Sequence, residues 1–170
     1  DINETLECWE IALKSNNTPS AIALSRQKVR YINPKNTKEN KCQKGAYVVN
    51  ITSHESNVTM VASGTEVELA LKVQEKLKEN NINSKVVSMP CMEIFDKQPE
   101  DFRSDIIESD TLVVTLEAGS IMSWQKYIKN KGVNIGIDQF GESAPYKEVY
   151  DHFGLSEDKI TDFIQKKLRE

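Results

Sequence analysis

Short apolar runs alternate with amphipathic segments along most of the chain beyond Gly45. Runs of this length, bounded by polar or turn-forming residues, predict β-strands. The predicted strands are residues 47–51, 58–62, 84–89, 111–117 and 133–137. The run at 111–117 is almost continuously apolar, which is typical of a strand covered on both faces. Because helical segments separate most of these strands, the pattern predicts βαβ units, an α/β fold class and a mainly parallel sheet.

Apolar residues at helical spacing predict the helices between the strands. In the helix at residues 66–80, the apolar stripe consists of Leu69, Ala70, Val73 and Leu77. Thr65 and Glu68 have the spacing of a capping box at the start of this helix, and Glu68 and Lys72 have the spacing of an ion pair. Further helices are predicted within 93–107 with a break at Pro99, from Ser120 through Tyr127, from Pro145 to about Gly154, and after Ser156 as N-cap.

The first part of the chain predicts one helix and one strand. Asn3 is a suitable N-cap, and Leu6, Trp9 and Leu13 follow it at helical spacing. Residues 20–24 form a short apolar run that predicts a buried strand. With no predicted neighbour in its own segment, this strand would leave an open edge, so we expect it to pack on the rest of the chain or to pair with a second copy.

The domain organisation follows from the difference between the sequence pattern before Gly45 and the regular alternation after it. One helix and one strand cannot build a core, so we expect residues 1–27 to be the tail of an upstream domain. Residues 28–44 are poor in apolar side chains and predict a linker. Residues 45–170 carry the regular alternation and are predicted to form the main α/β domain.

Composition and charge argue against some classes of binding partner for this protein. The formal net charge is −4 and the isoelectric point about 5.4, which argues against nucleic-acid binding because duplex-binding surfaces need an excess of Lys and Arg. No apolar run approaches the roughly 20 residues of a membrane span, so no membrane partner is expected. The first residues lack the basic and apolar regions of a secretory signal, and we expect a cytoplasmic protein.

The cysteines and histidines offer little material for a metal site. Cys8, Cys42 and Cys91 are widely spaced and odd in number, without a Cys-x-x-Cys motif. This pattern favours reduced, inert thiols over a disulfide framework or a zinc site. His54 and His152 lie far apart in sequence, so no metal-binding residue is predicted.

Arg26 is the candidate for substrate recognition. It lies in the segment Ala23-Leu24-Ser25-Arg26-Gln27, just past the apolar run. A guanidinium at the end of a strand can hold a phosphate through two parallel hydrogen bonds. The alternative is a solvated arginine at a strand end, and the segment by itself does not decide between them.

Other polar positions admit both a functional and a structural interpretation. Ser63-Gly64-Thr65 precedes a helix, where anions are favoured, but it lacks the glycine spacing of a dinucleotide fingerprint and the lysine of a P-loop. Glu117 could act as a general base or hydrogen-bond a loop. Asp138 and Glu142 could pair or be solvated, and His152 could cap a helix end. No segment combines a nucleophile, a base and an orienting group, so no catalytic residue is predicted.

The segments taken together resemble the C-terminal third of the transketolase family. Each motif is weak alone, but the motifs occur in order over nearly the whole chain. They are Asn3-Glu4-Thr5, Ala23-Leu24-Ser25-Arg26-Gln27, Lys44-Gly45-Ala46-Tyr47-Val48, Ala62-Ser63-Gly64-Thr65-Glu66-Val67-Glu68-Leu69-Ala70, Val86-Val87-Ser88-Met89-Pro90, Glu117-Ala118-Gly119, Phe140-Gly141-Glu142-Ser143-Ala144-Pro145 and His152-Phe153-Gly154.

The resemblance implies a fold and a reaction. The expected fold is a three-layer sandwich around a mainly parallel five-stranded sheet, with residues 1–27 as the tail of a pyrimidine-binding domain. The expected enzyme is a homodimer that uses thiamine diphosphate and a divalent cation (Mg or Ca). It transfers a two-carbon ketol unit between ketose and aldose phosphates, the cofactor supplying the hard chemistry.

The resemblance also assigns one residue. Arg26 matches the family arginine that helps to hold the terminal phosphate of the substrate. The family's cofactor-binding, metal-binding and catalytic residues lie upstream of the matched region, so none is expected in this chain and the chain by itself is predicted to be inactive. The alternatives left open are a stand-alone α/β binding or assembly module and a subunit of a split transketolase.

Overall fold

The computed structural model describes residues 1–32, 39–128 and 132–170. One sheet organises these residues, with strand order β1-β3-β2-β4-β5. The strands are β1 (Tyr47–Ile51), β2 (Val58–Ala62), β3 (Ser84–Ser88), β4 (Leu112–Leu116) and β5 (Val133–Ile135). β1 pairs with β3 in antiparallel orientation, and the other neighbours are parallel. The predicted α/β class and mainly parallel five-stranded sheet are therefore confirmed.

Helices cover both faces of the sheet. They are α1 (Ile2–Lys14), α2 (Glu66–Glu79), α3 (Met92–Phe95), α4 (Glu100–Ile106), α5 (Tyr146–His152) and α6 (Glu157–Arg169), with 3₁₀ helices at Lys41–Lys44 and Met122–Tyr127. Every residue of β2, β3 and β4 is buried because each of these strands has neighbours on both sides and helices above and below.

Two apolar cores separate the three layers. On one face, Met60 and Val114 of the sheet pack with Leu77 of α2 and Ile164 of α6. The other core contains residues of the same strands that point the opposite way, together with α3, α4 and the second 3₁₀ helix. Its buried members are Ala46, Val61, Val87, Met89, Phe95, Ile106, Val113, Trp124 and Tyr127. Fully burying one such side chain stabilises the fold by roughly 1.5–3 kcal/mol.

The start of α2 differs from the predicted capping box. Thr65 itself has helical backbone angles, and its hydroxyl donates to the Glu66 carboxylate at 2.7 Å instead of capping the helix. Glu68 accepts the backbone N–H of Arg30 at 3.2 Å and pairs with Lys72 at 3.3 Å. The predicted ion pair is confirmed, whereas the capping box is wrong because Glu66 takes the Thr65 hydroxyl.

Gly45 allows the first 3₁₀ helix to turn into β1. Its φ is +83°, a left-handed conformation that side-chain-bearing residues rarely adopt. A Cβ at this position would lie 2.3 Å from the backbone nitrogen of Phe95 and 2.4 Å from the carbonyl oxygen of Cys91. Those two atoms belong to the backbone around α3, so the first strand and this helix can approach each other only through a glycine.

The N-terminal helix begins two residues before the position predicted from Asn3 as N-cap. Asp1 is the N-cap, and its carboxylate accepts the backbone N–H of Glu4 at 3.0 Å. The predicted stripe is present on α1, but its members are exposed. Leu6, Trp9 and Leu13 retain 62%, 48% and 75% of their accessible surface.

The segment after α1 is not the predicted buried strand. Residues 20–24 form no strand, and all of them except the half-buried Ile22 are exposed. The physical reason is that no strand of the described residues lies beside the segment to pair with its backbone. Within the predicted linker, residues 33–38 lie outside the described residues, while Lys41–Lys44 form the 3₁₀ helix that packs against α1.

No helix in the described part of the chain is long and apolar enough to cross a membrane.

Candidate functional site

A groove separates the N-terminal segment from the carboxyl ends of β2 and β3. Helix α1 and most of residues 20–29 form one wall. The opposite wall includes Ser63 and Gly64, which follow β2, and Pro90 and Cys91, which follow β3. The groove has a volume of about 630 Å³. Ligands of open α/β sheets bind outside the carboxyl ends of the strands, so this groove is the candidate site.

Two carboxylates of α1 hold the helix in place beside the groove. Glu4 accepts the Tyr47 hydroxyl at 3.1 Å and the Ser88 hydroxyl at 2.5 Å. Burial, followed by the negative charge of Glu4, raises the pKa of Tyr47 above its ordinary value, so the phenol stays protonated and donates. Glu7 accepts the backbone N–H groups of Lys41 and Cys42 at 2.8 and 3.1 Å. It therefore caps the first 3₁₀ helix, whose own N-cap residue makes no side-chain cap.

Arg26 lies in a bend and is exposed, where the sequence predicted the end of a strand. Its two neighbours, Ser25 and Gln27, line the groove. Within the described residues its guanidinium has no hydrogen-bond or ion-pair partner. The whole fork of N–H donors is therefore available to an anion.

A second polar cluster lies at the carboxyl ends of β2 and β4. These strands connect to opposite sides of the sheet, so the cluster occupies the point where the strand order reverses. Glu117 accepts the indole N–H of Trp124 at 3.1 Å. Glu66 accepts the hydroxyls of Tyr150 at 2.6 Å and of Thr65 at 2.7 Å. The bond to Glu117 joins the second 3₁₀ helix to the end of β4, and the bond from Tyr150 to Glu66 joins α5 to α2.

Burial is the largest cause of the two raised pKa values in this cluster. Burial, and then the negative charge of Glu66, raise the pKa of Glu117 above its ordinary value. Burial and the hydrogen bond to Glu66 raise the pKa of Tyr150 to about 12. Tyr150 therefore remains a donor across the physiological pH range. The hydrogen bond from Trp124 to Glu117 joins the second 3₁₀ helix to the end of β4, which favours the structural interpretation of Glu117.

The remaining predicted candidates lie apart from the groove. Asp138 accepts the Ser120 hydroxyl at 2.9 Å and the backbone N–H of Ile121 at 3.1 Å, which fixes the loop after β4. Glu142 is an exposed loop residue. The His152 ring lies edge-on to Phe153, with 4.9 Å between ring centroids. None of these residues contributes to the lining of the candidate site.

The hydrogen-bond partners of the carboxylates beside the groove and in the second polar cluster were not predicted from the sequence. Glu66 and Tyr150 are 84 positions apart, and Glu4 and Ser88 are likewise 84 apart. No local sequence pattern predicts such a pairing, because each partner is an ordinary polar residue of its own helix or strand. In the described residues, His, Cys, Asp and Glu form no group of three or more that could hold a metal ion.

The comparisons with known proteins agree with this architecture. Residues 45–156 match the family described as "Transketolase-like TK C-terminal domain". The transketolase of Aquifex aeolicus is 37% identical over 169 residues, which cover 98% of this chain and 24% of that protein. The chain thus spans about a quarter of the length of the curated relatives it matches.

Solved structures give the same result. A transketolase from Leishmania mexicana superposes with a TM-score of 0.87 and 32% identity, covering 99% of this chain and 24% of that one. A Pichia stipitis transketolase, in complex with sedoheptulose 7-phosphate, has a TM-score of 0.89 and 27% identity with the same coverage of each chain. The fold is therefore that of a transketolase-type C-terminal α/β domain preceded by a helical segment. The chain belongs to the transketolase family.

Proposed function

We propose that this chain works as the C-terminal part of a transketolase, an enzyme that transfers a two-carbon ketol unit between ketose and aldose phosphates. The observation that carries the proposal is the extent of the match. About 98% of the chain aligns with about a quarter of a relative named as a transketolase. A module with an independent function would have no reason to keep both the α/β domain and the helical segment before it.

The proposed division of the chain is a tail of the pyrimidine-binding domain at residues 1–27, a linker at 28–44 and the C-terminal domain at 45–170. The family match starting at residue 45 supports the second boundary. The exposed apolar stripe of α1 supports the first, because an exposed stripe of large side chains is typical of a surface that packs on another part of a protein. We also propose that the enzyme is a cytoplasmic homodimer.

The proposed cofactors are thiamine diphosphate and a divalent cation, Mg or Ca. When bound, the cofactor would supply the carbanion chemistry of ketol transfer. The described residues of this chain do not fit the cation, because they contain no group of three potential ligands. We propose that the remainder of the longer enzyme holds both cofactors.

Arg26 is proposed to bind the terminal phosphate of the sugar. Its exposed guanidinium has no partner in the described residues and can form two parallel hydrogen bonds to phosphate oxygens. The complex of the Pichia stipitis relative with a sugar phosphate supports this class of ligand. The role of the residue is to bind and orient the substrate, not to exchange protons.

Side-by-side assays test the proposal. The longer enzyme and the 170-residue chain are each supplied with thiamine diphosphate, Mg²⁺, a ketose phosphate and an aldose phosphate. The longer enzyme should transfer the ketol unit, and the isolated chain should neither transfer it nor give heat of cofactor binding in calorimetry. Absence of transfer by the longer enzyme would contradict the proposed function, and cofactor binding by the isolated chain would contradict the placement of the cofactor site.

A further inference from the structure

Two cysteines that are far apart in sequence line the same groove. Cys8 lies on α1 and Cys42 in the first 3₁₀ helix, and each thiol shifts the pKa of the other, as expected of neighbouring side chains. The Cys42 thiol also approaches the Glu4 carbonyl oxygen, with 3.9 Å between sulfur and oxygen. Since Cys8 follows Glu4 by one helical turn, both sulfurs lie against the same turn of α1.

The backbone around the two thiols is held on both sides. Glu7, the residue before Cys8, accepts the backbone N–H of Cys42 at 3.1 Å. Asn40, two residues before Cys42, donates from its side chain to the Glu7 carbonyl oxygen at 2.9 Å. These contacts hold α1 and the 3₁₀ helix together, so the two sulfurs are presented to each other without a conformational search.

The two thiols of the pair differ in exposure and in pKa. Both cysteines line the groove, where Cys8 is half-buried and Cys42 is buried. The hydrogen bond from the neighbouring thiol lowers the pKa of Cys8, against the opposing effects of burial, Glu4 and Glu7. The same contact, and then burial, raise the pKa of Cys42. Cys8 is the more exposed of the two thiols, so it is the one that an oxidant in solution reaches first.

We propose that Cys8 and Cys42 form a reversible disulfide that links α1 covalently to the α/β domain. The oxidant is a small-molecule disulfide such as glutathione disulfide. The Cys8 thiolate attacks one sulfur of the oxidant and releases one glutathione thiolate, leaving a mixed disulfide on Cys8. Cys42 then loses its proton, attacks the Cys8 sulfur and releases the second glutathione. The protein loses two protons and two electrons, and these convert one glutathione disulfide into two glutathione thiols.

The disulfide would fix the width of the candidate groove. Its Cys8 side belongs to the wall formed by α1, and its Cys42 side belongs to the segment that leads into β1. Oxidation would prevent α1 from separating from the domain, whereas the reduced pair leaves α1 held by hydrogen bonds alone at this point. This inference does not depend on the proposed function.

The third cysteine provides a matched control in the same groove. Cys91 also lines it, but its thiol donates to the Glu93 carboxylate with 3.5 Å between sulfur and oxygen. Burial raises the pKa of Cys91, so it is a poorer nucleophile. Substitution of Cys91 should leave the proposed disulfide unaffected.

The experiment oxidises the folded chain with glutathione disulfide under native conditions. The products are analysed by intact mass in acid, and free thiols are blocked only in the portion used for peptide mapping. The wild type and Cys91→Ser should lose about 2 Da, one hydrogen from each thiol, and yield a peptide linked through Cys8 and Cys42. Cys42→Ser should instead keep one glutathione on Cys8. Reducing agent should restore the original mass in every case.

Thermal unfolding of the oxidised wild type gives a second readout that requires no substitution. The closed form should unfold several degrees higher than the reduced form, because the cross-link restricts the unfolded chain. Retention of all three free thiols after oxidation, stable glutathione on Cys8 of the wild type, or a link that includes Cys91 would each overturn the proposal.

Discussion

The Glu7 carboxylate accepts the backbone N–H of Cys42 at 3.1 Å, so a side chain of α1 caps a helix that lies far along the chain. The same oxygen accepts the N–H of Lys41 at 2.8 Å. A helix end leaves such donors without partners, and a carboxylate both satisfies them and complements the positive end of the helix dipole. This contact joins the N-terminal helix to the 3₁₀ helix that leads into the α/β domain.

Removing that link should loosen α1. Glu7→Leu leaves two partly buried N–H groups without an acceptor and should lower the free energy of unfolding by about 1–3 kcal/mol. Chemical denaturation measures the effect. Glu75→Leu, an exposed position on α2, is the control and should change stability by less than about 0.5 kcal/mol. Equal effects of the two substitutions would show that the Glu7 cap does not stabilise the fold.

Glu117 should make stability depend on pH. Its pKa is raised in the folded state by burial and by Glu66, so folding favours the protonated form. A raised carboxyl pKa stabilises the fold at pH values below the unfolded pKa of about 4.5, and this contribution is lost as the pH rises through the folded pKa. Glu117→Gln should remove that part of the pH dependence, because the amide has no proton to lose.

Two substitutions of Glu117 separate the effect of its charge on stability from the effect of its hydrogen bond. Glu117→Gln keeps an oxygen that accepts the Trp124 indole N–H, whereas Glu117→Leu removes it. The leucine variant should therefore be less stable than the glutamine variant by about 1–3 kcal/mol at neutral pH. Denaturation curves recorded from pH 4 to pH 8 compare both variants with the wild type. A glutamine variant with an unchanged pH profile would refute the role assigned to the carboxyl group.

Gly45 should not tolerate a side chain. Gly45→Ala combines a positive φ with a Cβ placed 2.3 Å from the Phe95 backbone nitrogen, so we expect a loss of about 3 kcal/mol or more, or failure to fold. Gly141→Ala is the matched control, because no atom lies within 4 Å of its added Cβ. The control should unfold within a few degrees of the wild type. A stable, wild-type-like Gly45→Ala variant would contradict the close approach seen here.

The central sheet could be predicted from the sequence because its signal is local. β2 and β4 are mostly apolar runs, β3 has two valines at its centre, and every residue of the three strands is buried. The predicted strand at 20–24 was wrong for the opposite reason. A strand needs a neighbour for its backbone, and the sequence of Ile22 and its flanking residues contains no information on whether that neighbour exists.

The polar contacts around the groove could not be predicted. Arg26 could be recognised as a candidate because it has a distinctive chemistry and a family motif around it. The contact of Cys8 with Cys42, and that of Glu4 with Tyr47, depend on how α1 lies against the domain. That orientation is decided by many long-range contacts at once, and the individual residues give no sign of it in sequence.

Substitution of Arg26 in the longer enzyme tests the central claim most directly. Arg26→Ala removes a charged, two-point contact with phosphate, so KM for a ketose phosphate should rise by about 10–100-fold while kcat changes little. KM for an unphosphorylated ketose should be unchanged, and Arg30→Ala, an exposed arginine whose backbone alone is bonded to Glu68, should behave as wild type with both sugars. An equal loss with phosphorylated and unphosphorylated sugars, or no loss with either, would contradict the phosphate-binding role of Arg26.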